Sequence, residues 1–152
     1  MSDDDLLAVL PRIAQLSTAM NRGRMAQRAM DATGLSLDRP GLTILVTLVT
    51  EGTPLRVGEI ADRMQVVGPH VTRQVQALEQ RGLVQRVADP HDKRVSLIEP
   101  TPTGTEAAQR YMTTVLGWFR DVINDWPAQD RADLGRLLTK LADDLTTKLT
   151  EP

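Results

Sequence analysis

Cysteine is absent from this 152-residue chain. That gap removes disulfides, thiolate zinc sites and cysteine-based redox sensing together. Aromatics are almost missing as well: two Trp, one Tyr and one Phe make up 3% of the residues, so any core must be aliphatic. Only two histidines occur, His70 and His91, and without thiols beside them they rarely build a metal site of adequate ligand count. No carboxylate pair, nucleophile–base set or glycine-rich phosphate loop is visible, so the chain reads as a non-enzyme with no cofactor. No apolar run approaches the roughly 20 residues that a bilayer span requires. The opening Met1-Ser2-Asp3-Asp4-Asp5 is acidic where an export signal is basic. A cytoplasmic protein with no membrane partner is the expectation.

What is present is ordinary in amount and uneven in distribution. Hydrophobic residues are 41% and charged residues 25%, enough for one domain with a real core. Net charge is −2, which at first argues against a polyanionic partner. Yet residues 63–94 hold six basic side chains (Arg63, Arg73, Arg81, Arg86, Lys93, Arg94) against three acidic ones (Glu79, Asp89, Asp92), a local +3. The remaining twelve basic and seventeen acidic residues leave −5 elsewhere. A positive patch on an acidic body neutralises phosphates while the body suppresses indiscriminate binding.

Hydrophobic spacing divides the chain into helices. Leu6, Leu10, Ile13 and Met20 predict a first helix from about Asp4 to Ala32, stopped at Gly34. A second runs from about Asp38 to Thr50 with Pro40 in its first turn, although its β-branched run could pass for a strand. A short third helix packs through Ile60, Ala61 and Met64. The fourth opens at Gly68-Pro69 and carries Val71, Val75 and Leu78 at i, i+4 and i+7 as its buried stripe. Leu83–Ala88 and Arg94–Ile98 read as a hairpin around Asp89-Pro90. Thr101 caps a long fifth helix to about Asn124, with an unusually wide apolar arc that includes Met112, Val115, Phe119 and Val122. Pro127 restarts the chain into a last helix with Leu134, Leu137, Leu138, Leu141, Leu145 and Leu149 on one face. The expected architecture is mainly α: a winged helix-turn-helix lobe over about 36–100 with a two-stranded β wing. Helices at about 4–32 and 101–150 would serve dimerisation, within a single domain of 1–152.

The fourth helix and the hairpin tip supply the candidate site. Pro69, His70, Thr72, Arg73, Gln74 and Gln76 are expected to face out, and Lys93 and Arg94 stand on the tip. A base-reading helix beside a cationic finger that grips backbone is the layout of a DNA-binding regulator. Arg73 suits guanine O6 and N7 through two parallel hydrogen bonds, or else a phosphate or plain solvent. Gln74 and Gln76 have the amide geometry for adenine, but Gln also fills exposed helix faces. His70 and Thr72 lie in the first turn, and Pro69 either touches a thymine methyl or simply starts the helix. If the strand is extended there, Asp92 and Arg94 share a face, and the carboxylate orients the guanidinium toward a narrow minor groove. Lys93 reads as a phosphate contact, and Asp89 and Pro90 as turn-shaping residues.

Val57-Gly58-Glu59-Ile60-Ala61, Val71-Thr72-Arg73, Leu78 through Val84, Asp89-Pro90-His91-Asp92-Lys93-Arg94 and Thr101-Pro102-Thr103-Gly104 together resemble the MarR family of bacterial transcription regulators. The resemblance covers the whole chain in element order. It implies an all-α homodimer with winged lobes, usually a repressor released by a small, often phenolic, ligand. Arg56 departs from the pattern, standing where a capping Ser or Thr is common; His70 departs too, replacing a small hydroxyl residue. The family's peroxide-sensing branch, which uses a reactive cysteine, is excluded. For a ligand, Met20, Arg24, Met25, Tyr111 and Trp118 are the expected lining of an apolar pocket between dimerisation helices and reading head, though core packing explains each apolar one equally well.

Two function classes compete. One is a dimeric sequence-specific regulator on a near-palindromic duplex operator, with half-sites roughly 34 Å apart. The other is a winged-helix module whose wing docks a protein partner without specific DNA binding.

Overall fold

The computed structural model describes residues 3–22 and 25–150. Among the described residues nine elements follow in order: α1 (Asp3–Arg22), α2 (Met25–Thr33), α3 (Arg39–Glu51), α4 (Val57–Met64), α5 (Gly68–Gln80), β1 (Val84–Ala88), β2 (Ser96–Pro100), α6 (Pro102–Ile123) and α7 (Ala128–Thr150). The first helix, expected in one piece, is described as two, α1 and α2, on either side of residues 23 and 24. Two compact units divide the chain, residues 1–115 and 116–152.

In the first unit, α3 resolves the strand-or-helix ambiguity through its ends. Asp38 is the N-cap, and its Oδ1 accepts from the Gly41 N–H at 2.9 Å. Gly52 closes the helix in the left-handed region at φ +68°, where its N–H donates to the Leu48 carbonyl. Between these caps Leu42, Ile44, Leu45 and Leu48 are buried. They meet Ile60 of α4, Val71, Val75 and Leu78 of α5, and Ile98 of β2 in one aliphatic cluster. Ala107 and Ala108 from the start of α6 join the same cluster, and Tyr111 and Met112 pack on its edge. The expected stripe on the fourth helix is buried as its spacing predicts.

The two strands pair antiparallel, with Val84 opposite Pro100 and Ala88 opposite Ser96. Leu55 adds a bridge on the far side of β2: its N–H donates to the Ile98 carbonyl at 3.0 Å, and it accepts the Ile98 N–H at 2.7 Å. The second strand therefore starts at Ser96 and runs to Pro100. Arg94 lies in the tip, residues 89–95, and outside the strand in which the sequence had placed it.

The step from wing to α6 is made by Thr101. Its N–H donates to the Leu83 carbonyl at 3.0 Å, its hydroxyl donates to the Gly82 carbonyl at 2.6 Å, and its Oγ1 accepts the Gly104 N–H at 3.0 Å. Gly104 is needed because a Cβ there would lie 1.9 Å from the Leu83 oxygen. In the second unit, the apolar side chains of α7 are unburied: Leu137, Leu138, Leu141, Leu145 and Leu149 are between 42% and 82% exposed. Both tryptophans, Trp118 and Trp126, also belong to this unit, Trp118 half-buried and Trp126 exposed.

Candidate nucleic-acid interface

Helix α4 starts without a side-chain cap, because a guanidinium has only donors and cannot accept a backbone N–H. Arg56 holds the N-cap position, and Glu59 reaches back to accept the Arg56 N–H at 2.7 Å. The turn to α5 passes through Gln65 at φ +53°, the one described non-glycine residue in the left-handed region. α5 then starts at Gly68 with Pro69 in its first turn, where the missing N–H costs nothing. Its N-cap residue, Val67, makes no side-chain cap either.

The outward face of α5 carries Pro69, Arg73 and Gln76, all exposed. With Val57, Gly68 and Thr72 they line an open groove of about 580 Å³. Thr72 is half-buried and its hydroxyl donates to the Gly68 carbonyl at 3.2 Å; His70 is half-buried in the first turn. Gln74 does not face out. Its Nε2 donates to Asp38 Oδ2 at 2.9 Å, tying α5 to the cap of α3. The reason is helical spacing: Gln74 lies three residues after Val71 and four before Leu78, on the edge of the buried stripe.

The wing tip departs from expectation in a second respect. Asp92 does not hold the Arg94 guanidinium. Its Oδ1 accepts the Arg94 backbone N–H at 3.0 Å, and its carbonyl accepts the Val95 N–H at 2.9 Å. The tip is a turn there, so the same-face geometry of an extended strand does not arise, and Asp92 shapes backbone. The buried acid of the tip is Asp89, only 5% exposed. Its Oδ1 accepts the His91 N–H at 2.8 Å, its Oδ2 accepts from Arg56 Nη2 at 2.6 Å, and its own N–H donates to the Val95 carbonyl at 3.0 Å. The His91 N–H and then the Arg56 guanidinium hold the Asp89 carboxyl below the usual carboxylate range. The same ion pair raises Arg56 above its ordinary value. Arg56 was visible in the sequence only as a departure, because nothing local links residues 56 and 89.

Eight cations lie between residues 37 and 100, and five are engaged within the protein. Arg39 donates to Asn21 and Arg81 to the Ser36 carbonyl, while Arg56 pairs with Asp89, Arg63 with Glu51 and Arg86 with Glu79. Arg73, Lys93 and Arg94 are exposed, and their side-chain cations have no hydrogen-bond or ion-pair partner among the described residues. The local positive charge counted along the sequence is thus reduced to three free cations, one on the helix and two on the wing.

The residues expected at a ligand pocket stand on several elements. Met20 is exposed on α1, Met25 is half-buried at the start of α2, and Arg24 lies outside the described residues. Tyr111 is half-buried in the first unit, and that burial raises its phenol above the ordinary value. Trp118 belongs to the second unit. An open groove of about 600 Å³ beside α2 and α6 is lined by Ala32, Thr33, Glu106, Gln109, Arg110, Thr113 and Thr114, and by none of these five.

A three-helix lobe with a hairpin wing and an outward arginine on its third helix defines a winged helix-turn-helix. Comparison with known proteins narrows the class. The MarR family model matches residues 37–96. The HTH-type transcriptional regulator YxaD of Bacillus subtilis is 29% identical over 127 residues, covering 84% of this chain and 87% of that one. A MarR family protein from Bacillus stearothermophilus superposes with a TM-score of 0.81 at 19% identity, over 96% of this chain and 99% of that one. The structure of Streptococcus pneumoniae FabT in complex with DNA superposes with a TM-score of 0.71 at 17% identity, over 91% and 98%. Residues 37–96 thus match the winged helix-turn-helix of the MarR family, and over most of its length the chain is similar to HTH-type transcriptional regulators.

Proposed function

We propose that the chain is a dimeric, sequence-specific regulator that binds a near-palindromic operator as a repressor. One observation carries the DNA contact: the three cations of the lobe left without internal partners are the arginine of the outward α5 face and the two cations of the wing. An ion pair inside the lobe is closed to phosphates, whereas a free exposed cation releases counterions when it meets one. Arg73, with Gln76 and Pro69 beside it, reads base edges in the major groove; Lys93 and Arg94 hold backbone and minor groove. His70 and Thr72 contact the groove at the N-terminal turn of α5.

Dimerisation rests on the unburied leucines of α7 and on Leu7, Leu10, Ile13 and Leu16 of α1, which are also exposed. Rows of exposed apolar side chains along a helix are a usual mark of a protein contact, and a second copy of the chain covers each of them in this reading. Release of the repressor by a small ligand, often phenolic in the family, rests on the family resemblance.

Selection from a random duplex pool tests the reading. Enrichment of a near-palindrome with half-sites one helical turn apart supports a dimeric DNA reader. No enrichment at low salt, in the absence of ligand, refutes sequence-specific binding and favours a wing that docks a protein.

A further inference from the structure

We infer that Arg56 and Asp89 form a positioning pair that sets how the wing cations Lys93 and Arg94 stand relative to the reading helix. The inference rests on the proposed contact between wing and DNA.

Position 56 is the N-cap of α4, where an oxygen-bearing side chain would satisfy a free N–H. Arginine cannot do this, and Glu59 supplies the only capping bond seen there, at the Arg56 N–H. The guanidinium is directed instead across 33 positions of sequence to the wing tip, where it meets Asp89 at 2.6 Å. Asp89 is the organising centre of the tip. One carboxylate oxygen takes Arg56, the other takes the His91 N–H, and the Asp89 N–H closes the loop onto Val95. Leu55, the preceding residue, is paired with Ile98 of β2 through two backbone hydrogen bonds. The chain entering α4 is therefore fastened to the wing twice, once by backbone at β2 and once by an ion pair at the tip.

This arrangement matters because the other bonds of the tip close it on itself, between residues 89 and 95, whereas Arg56 ties it to another element of the lobe. Lys93 and Arg94 have no side-chain partners among the described residues, and Asp92 holds only backbone. A hairpin end with free cations loses orientational entropy on meeting DNA unless it is already fixed. The Arg56–Asp89 bond supplies that fixation from α4, the helix that packs directly on α5. Arg56 acts through the wing, and its own charge is occupied by Asp89.

Asp89→Asn separates positioning from charge by sign. Removing an acid beside the free cations, if charge alone matters, tightens DNA binding. Positioning predicts the reverse: affinity falls several-fold, and the slope of log affinity against log salt becomes shallower, by about 0.9 for each phosphate no longer neutralised. The measurement uses the full chain and a duplex enriched from a random pool, or a mixed-sequence duplex at low salt, in a cycle with Arg94→Ala. Positioning also requires that Asp89→Asn cost much less once Arg94 is gone. Arg56→Lys is the second variant, should Asp89→Asn fold poorly: it keeps the charge and removes the planar fork, so weaker binding with a shallower slope supports the pair. Tighter or unchanged binding in Asp89→Asn, additive losses in the cycle, or an unchanged slope in a folded Arg56→Lys overturns the inference and leaves the wing contact standing. If Arg94→Ala alone changes neither affinity nor slope, the wing contact itself fails and the inference with it.

Discussion

The winged lobe and the C-terminal helix α7 are built from the same aliphatic residues and use them in opposite ways. In the lobe, Ile44, Leu45, Leu48, Ile60, Val71, Val75 and Ile98 have no solvent-accessible surface, and every one is covered by another element of the same lobe. On α7, five leucines at helical spacing remain exposed. Burying a leucine side chain is worth roughly 1.5–3 kcal/mol. The lobe has collected that stabilisation already; the α7 leucines have not, and in the proposed dimer a second copy supplies the cover. The difference teaches where the fold completes its own core and where apolar surface stays open, which the proposed dimer would close.

Breaking the completed core has the largest expected effect. Gly104→Ala drives a methyl group into the Leu83 carbonyl, a backbone atom that cannot turn aside, and costs more than about 4 kcal/mol, placing it among the exceptional single substitutions. A thermal melt that stays near the parent value contradicts the close approach of α6 to the wing base. The open surface breaks differently. Leu138→Asp with Leu141→Asp leaves the lobe folded by circular dichroism and yields monomers in sedimentation, with weaker operator binding; a stable dimer shows that the interface lies elsewhere.

Neighbours on α5 sharpen the same distinction at the level of single side chains. Gln74→Ala loses its bond to Asp38 and costs about 1 kcal/mol of stability with little change in DNA affinity. Arg73→Ala does the opposite: stability holds within about 0.5 kcal/mol, and preference relaxes at one position of each half-site. Uniform loss across sequences identifies Arg73 as a phosphate contact instead.

The smallest effect is a dependence on pH. The Asp89 carboxyl is held below its ordinary value in the fold, so its stabilising contribution is present above the unfolded carboxyl pKa of about 3.9 and is lost as pH falls through the lower folded value. The stability gap between the parent chain and Asp89→Asn is therefore expected at neutral pH and closes in acid below about pH 4. A gap that persists unchanged to lower pH places the stabilisation outside that carboxylate.

Much of this was legible in the sequence, and the boundary of legibility is physical. Helices α3 to α7 follow from apolar spacing and end residues, because Asp38, Gly52, Pro69 and Thr101 act on backbone within a few positions. The buried stripe of α5 was readable for the same reason, whereas Gln74 was read as outward although its offset from Val71 and Leu78 put it on the inner edge. The wing tip was harder. Asp92 sits two residues from Arg94 in either geometry, and only the start of β2 at Ser96 decides that the carboxylate meets an N–H and leaves the guanidinium alone. The Arg56–Asp89 pair carried no local signal, since its two halves are joined only by the folding of everything between them. Which cations remain free is likewise a property of the completed lobe.

The distribution of aromatic rings has a spectroscopic consequence. Phe119, Tyr111, Trp118 and Trp126 all stand on α6 or beyond, and both indoles belong to residues 116–152. Tryptophan emission from this chain therefore arises wholly from residues 116–152, with no indole inside the winged lobe. An unfolding curve followed at that wavelength and one followed by backbone ellipticity watch different parts of the molecule. With no cysteine to compete, a single introduced thiol on the wing would give the missing half its own reporter.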